Sequence, residues 1–377
     1  MKICIDARSL RDTPTALGRY AATLVRHIAL QDRDNDYVVV RRPSRHGPIA
    51  EQENFREIEI SCDIAAPRNI LTGARAINAL RADVYHSLFH FLPAGVRAGK
   101  VVITLHDFIW VDRPDLADGR RLHRWVKGSL GRIGVKRAVA AADSIIAVSE
   151  TTRRAAIDDH AVPAAKITTI YHGVDPEWRL GFNGQDSALP TAFANRRFVF
   201  SLGNSLPYKN LPRLLRAFAA LAEPDLLLVF AGRGEGNAQL LDLARQLGVA
   251  DRVHFTGALS DTQIRACFTG ALFFAFPSLI EGFGLPVLEA MACGAPVLTS
   301  NCSSLAEIAA DHALLVDPTD VDSIAAGMRR FLAEPELRHR LGQQGQQRAA
   351  TFTWETSARQ TLQVYGQFAD SAGAPSD

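Results

Sequence analysis

Residues 272–299 read Leu272-Phe-Phe-Ala-Phe276-Pro-Ser-Leu-Ile-Glu281-Gly-Phe-Gly284-Leu-Pro286-Val-Leu-Glu289-Ala-Met-Ala-Cys-Gly294-Ala-Pro296-Val-Leu-Thr299. The continuous apolar run Leu272 to Phe276 suits a strand buried on both faces. A Gly-flanked loop carrying the carboxylate of Glu281 follows. Then comes a helix with Pro286 near its first position and Gly294 where it should stop. A second apolar run, Pro296 to Thr299, closes a strand–helix–strand unit. Such a unit commits this part of the chain to a parallel α/β sheet.

The same alternation extends in both directions. Upstream, strands are predicted at Lys2 to Asp6, Tyr37 to Arg41, Val101 to Leu105, Ser144 to Val148 and Thr168 to Tyr171. Others are predicted at Phe198 to Leu202, Leu226 to Ala231 and Arg252 to Phe255. Between Asp175 and Arg197 the pattern lapses into a polar stretch with two prolines and two glycines, which reads as an interdomain linker. At 377 residues and roughly 150 residues per domain, two domains are expected. They are a first α/β domain at 1–175, a linker at 176–197, a second α/β domain at 198–350 and a C-terminal helix and tail at 351–377. After Pro318 the chain turns helical, and its last helix places Leu362 and Tyr365 on one side. The tail from Ala369 is expected to fray.

Composition narrows the function. Hydrophobic residues are 47% and charged residues 22%, an ordinary globular balance. Forty-two Lys and Arg against 40 Asp and Glu leave a formal charge of +2, too little for a protein devoted to nucleic acid. The five cysteines are scattered and form no Cys-x-x-Cys pair, which points to a reducing compartment. No apolar run approaches the roughly 18 residues that cross a bilayer. No signal peptide fits the N-terminus, so a cytoplasmic location is expected.

Ligands of open α/β sheets bind outside the carboxyl ends of the strands, so the residues just after each strand are the candidates. Gly18 opens a helix after the first strand; it fits either a plain turn or a close approach by an anion. His106-Asp107 follows a strand directly, and a structural His is as good a reading as a functional one. Ser149 ends the next strand and fits an ordinary helix N-cap equally well. Lys209 stands at a helix entrance, a good point charge for phosphate. Gly232-Arg-Gly234-Glu-Gly236 is half a dinucleotide fingerprint and weak. The strongest segment remains 277–294. Glu289 is expected in the first turn of its helix, sharing a cleft with Glu281. Both would accept from sugar hydroxyls, and the amides of Gly282, Phe283, Gly284 and Leu285 are donors at a helix start. Gly282 and Gly284 would let a ligand lie against the backbone.

Glu281 to Glu289 resembles the E-x7-E signature of retaining glycosyltransferases of family 4. Asp6-Ala-Arg8, Gly18-Arg-Tyr20, His106-Asp107, Ala147-Val-Ser149-Glu150, His172-Gly-Val-Asp175, Pro207-Tyr-Lys-Asn210, Phe276-Pro-Ser278 and Phe352-Thr-Trp354 fall in the family's order. The resemblance implies the GT-B fold: two Rossmann-like, doubly wound parallel-sheet domains facing each other across a cleft, with the C-terminal helix returning to the first. It implies a hexosyltransferase that moves a hexose from a nucleotide-diphosphate sugar to a glycan or polyprenyl-diphosphate-linked acceptor, in cell-surface polysaccharide synthesis. GDP-mannose is the first expectation for the donor; UDP-glucose, UDP-GlcNAc and dTDP-rhamnose are the alternatives. By position, Glu281 contacts the donor sugar, Glu289 the ribose, and Lys209 the diphosphate, helped by amides near Gly18 and Gly284. His106 reaches the transferred sugar, and Arg19, Asp107 and Ser149 serve the acceptor or closure. The chemistry is transfer with retention, and no covalent nucleophile, metal or cofactor is implied. Two positions depart from the family. Asn204 stands where an Arg is common, with Arg19 or Arg233 as stand-ins. Ala16 replaces a Gly, so the first-domain loop is expected to swing in only on closure.

Two further readings concern partners and metals. Asp32-Arg-Asp34 matches an Asp-x-Asp metal pattern but reads as a solvated turn before a strand. The stretch 120–137 interleaves Arg120, Arg121, Arg124, Lys127, Arg132, Lys136 and Arg137 with Leu122, Trp125, Val126, Leu130 and Ile133. It reads as a packed helix or as a surface-seeking one, contacting an anionic membrane at its cytoplasmic face. Acceptor choice is expected in first-domain loops around His86, His90 and this segment. A phosphorylase-type enzyme of the same fold is set aside, because such enzymes carry a pyridoxal-phosphate lysine in a much longer chain. A non-catalytic sugar-nucleotide-binding module in an assembly complex stays as the competing class.

Overall fold

Two fully parallel sheets carry the chain. The first contains β1 (Lys2–Asp6), β2 (Asp36–Arg41), β3 (Phe55–Glu59), β4 (Val84–Ser87), β5 (Lys100–Leu105), β6 (Ser144–Ala147) and β7 (Ile167–Thr169), in the order β3-β2-β1-β4-β5-β6-β7. The second contains β8 (Phe198–Leu202), β9 (Leu227–Ala231), β10 (Val253–Gly257), β11 (Phe273–Phe276), β12 (Val297–Ser300) and β13 (Leu314–Val316), in the order β10-β9-β8-β11-β12-β13. Each sheet starts in its middle, winds one way, then returns to wind the other way. The winding reverses between β1 and β4 and between β8 and β11. These are the doubly wound, Rossmann-like sheets expected from the sequence. The computed structural model describes all residues except 12–14, 45–46, 63, 65–66, 118–120, 180–188, 190–192, 194, 233–236 and 370–377. Within helices it describes only the backbone at 67–68, 70–72, 121–127 and 129–130.

The chain divides into two compact units. One comprises Met1–Val111, Gly128–Gly173 and Thr353–Asp377; the other comprises Asp112–Lys127 and Val174–Phe352. In the first, Ile3, Ile5, Tyr20, Leu24, Val25, Tyr37 and Val39 form one core with Trp354, Ala358, Val364 and Tyr365. The last helix, Trp354–Ala369, thus returns to the first unit and packs on the helix Ala16–Gln31. Leu362 packs partly buried on the same core. A Cβ on Gly173 would lie 2.1 Å from the Trp354 nitrogen, so only glycine lets these segments pass. In the second unit, Val199, Leu214, Leu215, Phe218, Phe273, Met328 and Phe331 belong to the central cluster. Most of the interdomain stretch 176–197 and the tail from 370 lie outside the described residues.

Three strands escape the sequence reading, each for a physical reason. β3 is an edge strand reading Phe-Arg-Glu-Ile-Glu, with only Phe55 buried. β4 is buried throughout but contains His86 and Ser87. β13 is three residues long. The predicted strand Thr168 to Tyr171 is shifted: β7 ends at Thr169, and Tyr171 is exposed beyond it. The helix Arg121–Ala141 runs straight through Gly128, Gly131 and Gly134. A Cβ at Gly134 would sit 2.5 Å from the Phe91 ring, so packing explains that glycine. Among the described residues no helix is long and apolar enough to cross a membrane.

Candidate functional site

In the second unit the winding reverses between β8 and β11, where the rule for open α/β sheets places the ligand. The loop after β8 opens at Gly203, with φ +150°, and the one after β9 at Gly232, with φ +137°. A Cβ on Gly232 would meet the Gly203 carbonyl at 2.0 Å, so the two loops touch through bare backbone. The β8 loop then closes in a 3-10 turn, Pro207–Lys209. Asn210 follows in the left-handed region at φ 61°. Its amide donates to the carbonyls of Pro277 (2.9 Å) and Pro318 (2.6 Å), clamping this loop to the ends of β11 and β13. The Leu279 amide donates to Tyr208 O at 2.8 Å.

This clamping brings Lys209 to Glu281. Their side chains are each 11% exposed, with Nζ 2.7 Å from Oε1. The ammonium also lies 4.6 Å from the Phe276 ring centroid and 5.0 Å from that of Tyr208, within cation–π range. Hydroxyls beyond β11 hold the carboxylate's loop by its carbonyls. Thr299 donates to Phe276 O (2.9 Å), Ser300 to Ser278 O (2.6 Å) and Ser304 to Glu281 O (2.9 Å).

The helix Leu285–Ala292 begins after Gly284, has Pro286 in its first turn and ends at Cys293, followed by Gly294 at φ +76°. Glu289 is buried, and lies in the second turn rather than the expected first. Burial pushes the Cys293 thiol up to about 12, with the Glu289 carboxylate adding to the rise. Of the two loop glycines, only Gly284 has positive φ, at +103°. A Cβ there would meet Leu305 Cδ2 at 2.7 Å. A side chain at Gly284 is thus excluded by Leu305 as well as by the backbone angle. Phe283 is buried with its ring edge-on to Phe352. Among the described residues nothing accepts from the amides of Gly284 and Leu285, which remain donors at the helix start. Asn204 is exposed, and its side chain accepts from Leu206 N within its own loop.

In the first unit, His106 follows β5 and is buried, its Nε2 3.0 Å from Leu88 O. That carbonyl can only accept, so Nε2 carries the proton and Nδ1 is the bare nitrogen. Burial lowers its pKa to about 4, against an opposing contribution from the Leu88 carbonyl. Around it, Tyr20 stands edge-on at 4.9 Å, His172 lies 5.7 Å away and Trp354 stacks on His172 at 5.8 Å. His86 joins Tyr365 Oη (2.6 Å) to Thr104 Oγ1 (2.9 Å) in the same interior. His86 is thus an interior residue of β4, and His90, in the segment that follows β4, is buried as well. Tyr20, His106, His172 and Trp354 stand in separate motifs of the sequence, and only the fold packs their rings together.

The remaining candidates have local partners. Gly18 is the third residue of the helix Ala16–Gln31, and its amide donates to Thr15 Oγ1 at 3.0 Å. Ala16 is the exposed first residue of that helix, and Arg19 is half-buried in its first turn. Asp107 accepts from Ile109 N. Ser149 is a fully buried N-cap, accepting from Thr152 N at 3.0 Å. Asp32 organises a turn, accepting from Asp34 N, Asn35 and Tyr37 Oη. Asp32 itself is buried, whereas Arg33, Asp34 and Asp36 of the same turn are exposed, as the sequence suggested. Arg233 lies outside the described residues, as do the side chains of 121–127. Farther along that helix Lys136 and Arg137 are exposed, as is Ile133 at 58%.

Residues 17–178 match the profile of Glycosyltransferase Family 4, and residues 187–348 match that of Glycosyl transferases group 1. The chain belongs to the family 4 glycosyltransferases. This glycosyltransferase is 27% identical to O-antigen chain mannosyltransferase B of Escherichia coli, over 97% of its own length and 99% of the relative's. It is 32% identical to the MMP alpha-(1->4)-mannosyltransferase of Mycolicibacterium hassiacum, over 61% of itself and 55% of that chain. Its fold matches a sucrose-phosphate synthase of Thermosynechococcus elongatus (TM-score 0.77, 20% identity, 98% and 99% covered). It also matches Anabaena HepE in complex with UDP and glucose (TM-score 0.75, 18% identity, 97% and 100% covered). The glycosyltransferase is therefore a GT-B enzyme, a hexosyltransferase of the mannosyltransferase-like kind.

Proposed function

We propose that the chain transfers a hexose, mannose from GDP-mannose in the first instance, to a glycan or polyprenyl-diphosphate-linked acceptor, with retention at the anomeric carbon. The Lys209–Glu281 pair at the reversal of the second sheet carries this reading. Lys209 and the amides of Gly284 and Leu285 take the diphosphate, whose charge grows as the glycosidic bond breaks. Preorganised donors of this kind act most strongly on charge that develops in the transition state. Glu281 accepts from hydroxyls of the transferred hexose and Glu289 from the ribose. His106 contributes from the first domain, with Arg19, Asp107 and Ser149 shaping the acceptor side. Relatives named as mannosyltransferases support the donor choice. The product belongs to cell-surface polysaccharide assembly, made on the cytoplasmic side. The exposed Arg132, Lys136 and Arg137 of the basic helix meet an anionic lipid surface there.

A transfer assay with GDP-mannose, UDP-glucose, UDP-GlcNAc and dTDP-rhamnose tests this directly, together with thermal shifts by GDP, UDP and dTDP. A nucleotide at about 100 times its Kd adds roughly 2.7 kcal/mol to stability. GDP is expected to stabilise the native chain, and Glu289→Ala to lose that shift. Glu281→Ala should lower transfer by about a hundredfold or more. A Glu281→Ala chain that transfers normally would overturn the reading, and a shift by UDP or dTDP alone would replace the donor.

A further inference from the structure

The proposed function asks two residues to hold different parts of one donor, and these two residues hold each other. Lys209 Nζ sits 2.7 Å from Glu281 Oε1, with both side chains nearly enclosed. The ammonium is further seated between the Phe276 and Tyr208 rings. Its stem runs past Gly203, where a Cβ would come within 3.5 Å of Lys209 Cδ. Ser304 fixes the Glu281 backbone carbonyl, so the carboxylate has little freedom to follow a departing ammonium. An enclosed ion pair offsets much of its own desolvation while intact, but removing one partner leaves the other charge buried and uncompensated.

We infer that Glu281 is also a specificity-determining residue that discriminates the nucleotide-sugar from the spent nucleoside diphosphate, by competing for Lys209. This inference rests on the roles proposed above for these two residues. A diphosphate draws the ammonium toward itself and strips Glu281 of its partner. When the ligand is the intact donor, hexose hydroxyls donate to the carboxylate and replace what it lost. When the ligand is the nucleoside diphosphate alone, nothing replaces it, and the penalty weakens binding. The site therefore favours donor over leaving nucleotide, although both present the same diphosphate.

Calorimetric titration of GDP and UDP tests this on four chains: wild type, Glu281→Gln, Lys209→Met and the double variant, with unfolding midpoints measured in parallel. Glu281→Gln should bind the free diphosphate about tenfold more tightly than wild type, and GDP-mannose or UDP-glucose no more tightly. In the Lys209→Met background the same Glu281→Gln change should leave diphosphate affinity unmoved. Equal tightening in both backgrounds would mean simple repulsion between carboxylate and ligand, and overturns the competition. No tightening in either background overturns it too. If Lys209→Met leaves diphosphate binding unaffected, the proposed Lys209 role itself fails, which separates that failure from this one. If the variants do not fold, free hexose added to wild type is the substitute measurement. Mannose or glucose should tighten diphosphate binding severalfold by refilling Glu281, and an absence of coupling overturns the inference.

Discussion

Gly284 shows how much of a site can be decided by one backbone angle. Its φ of +103° turns the chain from the Glu281 loop into the helix Leu285–Ala292, with Leu305 packed where a side chain would project. Gly284→Ala should lower stability by about 1–3 kcal/mol, from backbone strain and the crowded Leu305 methyl. Urea unfolding measures this, and measured against a Leu305→Ala chain the same change should lose the contact part of its cost but keep the strain. No remaining cost would mean that φ costs nothing here. The same residue marks the limit of legibility. Glu281, Glu289 and both glycines are legible in the sequence, because a loop after an apolar run with Gly282 and Gly284 around Phe283 has few bland explanations, and Lys209 is legible as a point charge at a helix entrance. That Lys209 meets Glu281 did not stand out, since 72 residues separate them and only the strand order makes β8 and β11 neighbours. Asn210 was equally silent. Its clamp on two carbonyls depends on a left-handed backbone that the sequence does not announce.

At the scale of elements, the helix Arg121–Ala141 offers a paired experiment on its glycines. At Gly131 a Cβ would make only an ordinary 3.8 Å contact with Val111, whereas at Gly134 it would enter the Phe91 ring. That ring is hemmed by Phe89 and His90. Replacing an interior helix glycine by alanine gains about 1 kcal/mol of helix propensity, while overpacking costs about 1–3 kcal/mol. Gly131→Ala should therefore stabilise and Gly134→Ala destabilise. Equal shifts in Tm would refute the packing account. Helix propensity treats both glycines alike, because it carries no knowledge of neighbours. Strands divide along the same line. Continuous runs such as Phe198–Leu202 are legible, since burial on both faces leaves a purely apolar string. β4 is as buried, yet His86 and Ser87 find partners inside, and the string no longer looks apolar.

Across the whole molecule, the histidine-rich interior of the first unit ties stability to pH. Burial lowers His106 to about 4, His86 and His90 to about 3, and His172 well below its ordinary range. Unfolded imidazoles titrate near 6.5. Below that pH the unfolded chain binds protons that the native interior refuses, so stability is full above about 6.5 and falls as the pH drops toward 4. One such group costs about 2 kcal/mol at pH 5. Unfolding midpoints from pH 7.5 to 5 should fall steeply, and His172→Phe should reduce the slope by about one proton; an unchanged slope refutes its share. The same interior also includes Trp354, Ala358, Val364 and Tyr365, from the last helix of the chain. Domains generally fold in the order in which a ribosome delivers them. Here the first sheet emerges early, but its core is completed by side chains synthesised more than 300 residues after β1. During translation that sheet must wait with an apolar face uncovered while the second unit is made. A chain cut before Trp354 would thus keep the core of the second unit and leave that of the first unit incomplete.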